Sequence, residues 1–480
     1  MSTIRTRIAP SPTGFLHIGT ARTALFNYLF AKKYGGTFVL RIEDTDLKRS
    51  EKKFEKDIFE GLKWLGIDAD ESPEKGGSYG PYRQSERTQD YTNAIQRLLD
   101  EDKAFYCFHT EQELEKEKDE LMAAKKPVLH ICEYRTFDIK EAVILIETKP
   151  SFIIRFKTPI GKTIVFRDMI RGDLKFESGL LGDFSIAKRV DVPLYNLAVV
   201  VDDEAMKISH VIRGEDHIAN TPKQLLLIEA LNFLEPIYAH LPLILGKDRS
   251  KLSKRHGATS IIEYREIGYL SEALFNFMAL LGWNPGTDQE ILNHKELVNL
   301  FSLEKVQKSG AIFDLIKLDW MNGEYIRKKS VTELTQLANP YLKNLKISAH
   351  EDINVADVIA LEQPRLKKLS DITEKIDYFF KNPIYDKELL RWKSMTDDDI
   401  AESLGMAIDL LKQNRNKSIT EIETVFLDQA STMGDRGKLL WPLRVALTGK
   451  KNSPGPFEII PILGIDETLY RLANARNKSH

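Results

Sequence analysis

At 480 residues the chain is longer than one hydrophobic core organises, so two to four domains are expected. With 42% hydrophobic and 29% charged residues it has the balance of a globular protein, no run approaches a bilayer span, and the N-terminus carries no export-type apolar region. Two cysteines exclude a disulfide framework and point to a reducing, cytoplasmic setting, and a net charge of −2 excludes a global attraction to nucleic acid while leaving room for local basic patches.

Arg7-Ile8-Ala9-Pro10-Ser11-Pro12-Thr13-Gly14-Phe15-Leu16-His17-Ile18-Gly19-Thr20 reads as a strand, a proline-fixed turn and a helix start. The helix carries Ala21, Ala24, Leu25, Tyr28 and Leu29 on one face and stops at Gly35-Gly36. Such an opening aims backbone N–H groups and a positive dipole end above the strand, the usual place for a phosphate. Neither the dinucleotide fingerprint nor the Walker lysine is present. A His-x-Gly-x step replaces them.

Thr37 to Ile42 reads as a buried strand ending in Glu43-Asp44-Thr45-Asp46, where open α/β sheets bind ligands. A helix from about Ser50 to Gly66 and another from about Ser85 to Asp102 complete a β-α-β-α half of a doubly wound sheet. From Phe105 to about Ile186 a charged helical run and short β segments (Phe152–Lys157, Thr163–Phe166) read as an insertion. The sheet is expected to resume at Leu194–Val201, an apolar run of the kind buried parallel strands show. His210–His217 follows, then a helix capped by Thr221 with Pro222 at its first position, and a last strand at Leu241–Leu245. A lysine-rich loop, Gly246–Gly257, comes next, and beyond about residue 260 helical periodicity dominates, with a boundary near Arg327–Ser330.

Two features stand together: His17-Ile18-Gly19-Thr20 after the first strand and Lys251-Leu252-Ser253-Lys254-Arg255 after the last. This pairing resembles the two signatures of class I aminoacyl-tRNA synthetases. Arg41–Asp46, Gly80–Arg87, Val211–His217, Leu318–Gly323 and Pro442–Gly449 extend the resemblance to the bacterial-type glutamyl-tRNA synthetases over most of the chain. Thr20 stands where the general signature has a second histidine, a marker of the glutamyl branch. Arg189-Val190-Asp191 departs from the family's Ser-Asp-Gly lead into the next element.

The resemblance implies a Rossmann-type parallel-sheet catalytic domain with an α+β insertion and an all-helical anticodon-binding region. The expected divisions are 1–106 and 187–258 for the catalytic halves and 107–186 for an acceptor-end insertion. Residues 259–328 would form a stem-contact domain and 329–480 the anticodon domain. It implies ATP-dependent ligation of L-glutamate to tRNA-Glu through a glutamyl-adenylate, by a cytoplasmic monomer, with Mg2+ arriving on ATP. Charging of tRNA-Gln as well, or a non-catalytic tRNA-binding role, are the alternatives.

His17 and Lys254 are the expected catalytic pair, and Pro12, Thr13, Gly14, His17, Gly19, Thr20, Glu215, Lys251, Ser253 and Lys254 are expected around ATP. Chemically, activation is an attack by carboxylate on the α-phosphate, so rate comes from positioning and from donors placed where charge develops. Gly19 would let the nucleotide lie against the backbone. Arg7, Ala9, Ser11, Glu43, Tyr195 and Arg213 are expected around glutamate, because guanidinium binds carboxylate bidentately and Glu43 can counter the α-ammonium. An Arg7–Glu43 pair across adjacent strands is the plainer alternative. Arg365 and Arg444 are candidate tRNA contacts.

Both cysteines fall in the insertion, each two residues from a histidine: Cys107 and His109, His130 and Cys132. Two Cys and two His satisfy a tetrahedral structural Zn2+, with Tyr134 an alternative to His130; two ordinary thiols are the other reading.

Overall fold

Strand β1 (Arg5–Ile8) is buried along its whole length, and the helix that follows it, α1 (Ile18–Lys33), buries residues on every side. The next strand, β2 (Thr37–Leu40), pairs in parallel with β1, setting Arg7 opposite Val39. The structure is a computed structural model that describes residues 3–46, 48–149, 151–253, 260–343, 345 and 352–479. Two amphipathic helices follow: α2 (Lys52–Leu65), closed by Gly66 in the left-handed region at φ 75°, and α3 (Thr88–Asp100).

The middle of the chain supplies β3 (Ala104–Cys107), α4 (Glu111–Ala123), α5 (Ile139–Thr148), β4 (Ile153–Phe156), β5 (Thr163–Asp168), β6 (Gly172–Glu177), β7 (Ser185–Arg189) and β8 (Val192–Pro193). Helix α4 buries nothing and is held at its start by a reciprocal Thr110–Glu113 capping box. Strands β3, β4, β7 and β8 form their own antiparallel sheet. Where the expected Ser-Asp-Gly turn is missing, Arg189 makes a bidentate pair with Asp191 (3.0 and 2.7 Å) between β7 and β8.

The run expected to be a parallel strand at Leu194–Val201 is instead a helix, α6 (Tyr195–Ala205). Its residues Leu197 through Asp203 are all buried, and an apolar run buried on all sides has no periodicity to separate strand from helix. The helical form has a consequence at its end. Consecutive helical residues point about 100° apart, so Asp202 reaches Gln84, Arg87 and Tyr91 while Asp203 reaches Arg7 and Arg41.

The parallel sheet resumes with β9 (His210–Gly214), followed by α7 (Thr221–Ala230) and β10 (Ile237–Leu241). β10 pairs in parallel with β9 on one side and with β5 on the other, giving the order β6-β5-β10-β9. Thr221 is the first helical residue of α7, not its cap, and its hydroxyl is used on Arg213. The last strand lies earlier than expected because Pro242, which lacks an N–H, ends β10; only Ile244–Leu245 (β11) continues, paired with Ala311–Ile312 (β12).

The chain forms two compact units, Met1–Arg265 with Ser271–Leu315, and Glu266–Leu270 with Ile316–His480. The second is helical throughout its described residues. Arg471, 4% exposed, ties its core by donating to the carbonyls of Tyr378 and Leu447, both at 2.7 Å. No described helix is long and apolar enough to cross a membrane.

Candidate active site

A cavity of about 990 Å³ opens in the first unit above the ends of β1 and β9. Arg7, Ala9, Ser11, Gly14, His17, Gly19, Thr20, Glu43, Tyr195, Arg213, Lys251 and Ser253 all line it. The Pro10–Pro12 turn is tied to the end of β2, since the Glu43 amide donates to Pro10 O at 3.1 Å and Ser11 Oγ donates to Glu43 O at 2.7 Å. The glutamate and nucleotide candidates therefore share one rigid corner.

His17 is the N-cap of α1. Its Nδ1 accepts from the amides of Gly19 (3.1 Å) and Thr20 (3.3 Å). A nitrogen accepting two amide hydrogens carries no proton, so the neutral ring is protonated at Nε2, which lies 3.1 Å from Thr20 Oγ1. Burial and the nearby Lys251 lower its pKa and keep the ring neutral. Two first-turn amides are thus spent on the cap, and Nε2–H, which donates to Thr20 Oγ1, is the ring's one donor for a phosphate. At Gly19 the constraint is the ring as well: an added Cβ would meet His17 Cε1 at 3.0 Å.

The arginines do not pair as the plainer alternative had it. Arg7 Nε donates to both oxygens of Asp203 (3.2 and 3.3 Å), whereas Glu43 is met by Arg41 Nη2 at 3.2 Å. Arg41 also donates to Asp203 at 2.7 Å and lies 3.5 Å from Asp202, which binds Arg87 at 2.7 Å. Burial raises the Glu43 carboxyl, with Arg41 and Arg7 pulling the other way. Against the same burial, Arg7 and Arg41 together hold Asp203 below the usual carboxylate range. Asp203 fixes Arg7 through Nε alone. Its two terminal nitrogens have no hydrogen-bond partner among the described residues, and the residue faces the cavity.

Arg213, 5% exposed, donates through Nε to His240 Nε2 (3.2 Å) and through Nη2 to Thr221 Oγ1 (2.9 Å), while its buried Nη1 has no partner. A buried guanidinium without a carboxylate beside a cavity is a receptor for an anion.

Some expectations fall outside this cavity. Pro12 faces a different hollow beside α2, and Thr13 closes the turn by donating to Ser11 O at 2.9 Å. Glu215 is occupied by Arg171 and by the Leu243 amide (2.7 Å), which makes it a tie between strand ends. Lys254 lies outside the described residues. His217 was missed. It lines the cavity with Nδ1 2.9 Å from Tyr195 Oη, and burial with Arg213 nearby brings its pKa down to about 4. Its only sequence signal was its place in the Val211–His217 run.

In the second unit, Arg365 is exposed, with Nη1 on Leu361 O at 3.0 Å and Glu458 at 3.9 Å. Arg444 lies over the Trp441 ring at 4.7 Å and donates to Lys451 O. Trp441 itself is tied by its indole N–H to Leu389 O.

Cys107, His109, His130 and Cys132 converge, their ligand atoms all within 4.8 Å of one another. Cys107 Sγ lies 3.6 Å from His109 Nδ1 and 3.7 Å from His130 Nε2, and Cys132 Sγ lies 3.7 Å from His109 Nδ1. A zinc tetrahedron with bonds of about 2.0–2.3 Å has edges of roughly 3.3–3.8 Å, which these three spacings match. The other nitrogen of His130 is held by Glu117, the outer partner a metal-binding histidine needs. The hydrogen bond with Cys132, helped by His130, pushes the Cys107 thiol down and its partner up. Tyr134 is a wall and not a ligand: its hydroxyl is met by Lys149 Nζ at 3.0 Å and its ring packs on His109.

A Rossmann-type sheet with a neutral histidine capping the first helix, a lysine-rich sequence directly after β11 and arginines in one cleft defines a class I tRNA synthetase. Residues 3–320 match the family of tRNA synthetases class I (E and Q), catalytic domain, and residues 333–476 match an anticodon binding domain. The glutamate–tRNA ligase 1 of Caldicellulosiruptor saccharolyticus is 45% identical over 98% of both chains, and the glutamate–tRNA ligase of Carboxydothermus hydrogenoformans is 45% identical over 99% of this chain and all of its own. The crystal structure of a glutamate tRNA ligase from Elizabethkingia meningosepticum in complex with its amino acid superposes with a TM-score of 0.87, at 34% identity over 99% of both chains. The chain belongs to the glutamate–tRNA ligases of class I.

Proposed function

We propose that the protein ligates L-glutamate to tRNA-Glu, consuming ATP and releasing AMP and pyrophosphate. The observation that carries this is a single cavity in which Arg7 and Arg213 present unpaired guanidinium nitrogens beside Glu43, next to the capped start of α1. Arg7 and Arg213 take the carboxylates of glutamate, and Glu43 with Ser11 faces its ammonium. The α-carboxylate attacks the α-phosphorus of ATP, and a P–O bond to the leaving pyrophosphate breaks. His17 donates from Nε2 as charge builds on phosphate, and Lys251 with Lys254 supplies positive charge from the loop. Mg2+ travels with the phosphates of ATP. The tRNA's terminal 2′-hydroxyl then attacks the acyl carbon and AMP leaves.

Glutamine would leave a buried arginine without its anion, a discrimination of roughly 2–5 kcal/mol. Residues 107–186 serve the acceptor end and 329–480 the anticodon, with Arg365 and Arg444 among the contacts; the anticodon-domain match at 333–476 supports the second assignment. Cys107, His109, His130 and Cys132 hold a structural Zn2+ that braces the start of the insertion. The protein acts as a cytoplasmic monomer, a reading supported by the family and by two free thiols. Glutamate-dependent pyrophosphate exchange, with and without tRNA, tests the enzyme reading, and its absence in both conditions would sink it. Charging of purified tRNA-Glu and tRNA-Gln separates a strict enzyme from one that glutamylates both.

A further inference from the structure

Arg213 is held from behind by a chain of groups that begins on another element. Asp168, 2% exposed at the end of β5, accepts four hydrogen bonds. Its Oδ1 takes the amides of Ile170 (2.9 Å) and Arg171 (2.8 Å). Its Oδ2 takes the amide of His240 (3.0 Å) and lies 2.7 Å from His240 Nδ1. Despite burial, His240 and the two amides hold this carboxyl below its ordinary range. An ionised Asp168 has no hydrogen to give, so the His240 proton sits on Nδ1 and Nε2 is left as an acceptor. That lone pair faces Arg213 Nε and the Thr221 hydroxyl, each at 3.2 Å. The ring is fully buried and stacked on Tyr238, with centroids 6.0 Å apart and 6° between planes.

This arrangement differs from that of Arg7, which rests directly on a carboxylate. Arg213 has no ion-pair partner among the described residues. A neutral imidazole stands between it and the nearest anion, so the guanidinium is oriented and its positive charge stays available to a ligand. We propose that Asp168 and His240 are positioning residues for glutamate, a relay that turns Arg213 so that its unpaired Nη1 meets a substrate carboxylate. The proposal rests on the reading that Arg213 binds that carboxylate.

The relay also spans two parts of the chain. Asp168 ends the hairpin strand β5, which joins the parallel sheet only through β10, at Tyr238 opposite Asp168. Glutamate binding thus depends on how that hairpin is seated.

The test compares His240→Asn, His240→Gln and Arg213→Ala in tRNA-supported, glutamate-dependent pyrophosphate exchange, with KM measured for glutamate and for ATP. Asparagine keeps a donor for Asp168 and loses the acceptor at Nε2; glutamine places an amide oxygen close to the Nε2 position. Losing a hydrogen bond that orients a charged group should raise the glutamate KM roughly tenfold or more in His240→Asn. The ATP KM should stay within about twofold, and His240→Gln should recover most of the loss. If Arg213→Ala raises the glutamate KM and His240→Asn does not, the relay is wrong while the pocket assignment stands. If Arg213→Ala leaves it unchanged, the pocket assignment fails and takes the relay with it. Equal losses in His240→Asn and His240→Gln would make His240 a packing residue only. Should the His240 variants fail to fold, Asp168→Asn, with its amide N–H donating to His240 Nδ1, moves the ring proton to Nε2 and removes the acceptor that Arg213 uses. It should raise the glutamate KM in the same direction, and no change there would overturn the proposal.

Discussion

Replacing Asp203 with asparagine removes one charge from a buried set. Glu43, Asp202 and Asp203 face Arg7, Arg41 and Arg87, and each of the six is no more than 8% exposed. Asp203 serves two of the three arginines, at 3.2 Å and 2.7 Å. Asparagine has nearly the same shape but leaves a buried positive charge uncompensated, a loss of about 3–5 kcal/mol. A unit of roughly 300 residues has an unfolding entropy of about 0.6–0.7 kcal/mol/K, so its thermal midpoint should drop by about 5–8 °C in calorimetry at neutral pH.

The pH dependence has a definite sign. The folded Asp203 pKa lies below its unfolded value, so the folded state binds fewer protons. Its stabilisation is present above the ordinary carboxyl pKa of about 4 and is lost as pH falls through the depressed value. Glu43 and Asp202 are shifted upward and oppose this trend, which makes the comparison with wild type the informative one. Asp203→Asn should lose less stability than wild type on acidification. The double variant Arg41→Met/Asp203→Asn restores charge balance and should fall short of additivity by more than about 1 kcal/mol. A single variant melting within about 2 °C of wild type, with additive behaviour in the double, would refute the reasoning.

His17→Ala removes both the cap of α1 and the Nε2 donor; turnover should fall about a hundredfold or more while the glutamate KM stays within about threefold, and the reverse pattern would move His17 to the glutamate side. Elemental analysis of protein purified without chelators should find about one equivalent of zinc, falling below about a fifth in Cys132→Ser; less than about half an equivalent in wild type ends the zinc reading. Gly268 adopts φ 92°, and an added Cβ would lie 2.6 Å from the Ser370 nitrogen and 2.7 Å from that of Leu369. Gly268→Ala should therefore destabilise the helical unit by about 1–3 kcal/mol, and an unchanged denaturation midpoint would contradict the backbone contact.

Much of the site was legible because its residues sit in short runs around turns. Arg7 to Thr20 and Val211 to His217 each bring several cavity residues within one strand-to-helix connection, where local chemistry and position coincide. What was not legible depends on distant pairing. Asp203 holds Arg7 across 196 positions, and no local pattern marks it. Asp168 and His240 lie 72 apart on strands whose adjacency only the sheet order fixes. The helix α6 was misread because Leu197 to Val201 are buried on every side, and the β-branched Val199, Val200 and Val201 favour strand in isolation. Glu215 and Thr221 carry residue types suited to the site, yet their side chains are taken up by Arg171 and Arg213.

The same charge cluster bears on how the polypeptide emerges from the ribosome. Arg41 is completely buried, and its partner Asp203 follows 162 residues later. At about 5–20 residues per second, that carboxylate reaches the exit tunnel roughly 8–30 s after the arginine does. Throughout that interval β1, α1 and β2 can pack only with Arg7 lacking its carboxylate and with Arg41 held by Glu43 alone. Arg7 and Arg41 are therefore fully paired only once α6 has been made.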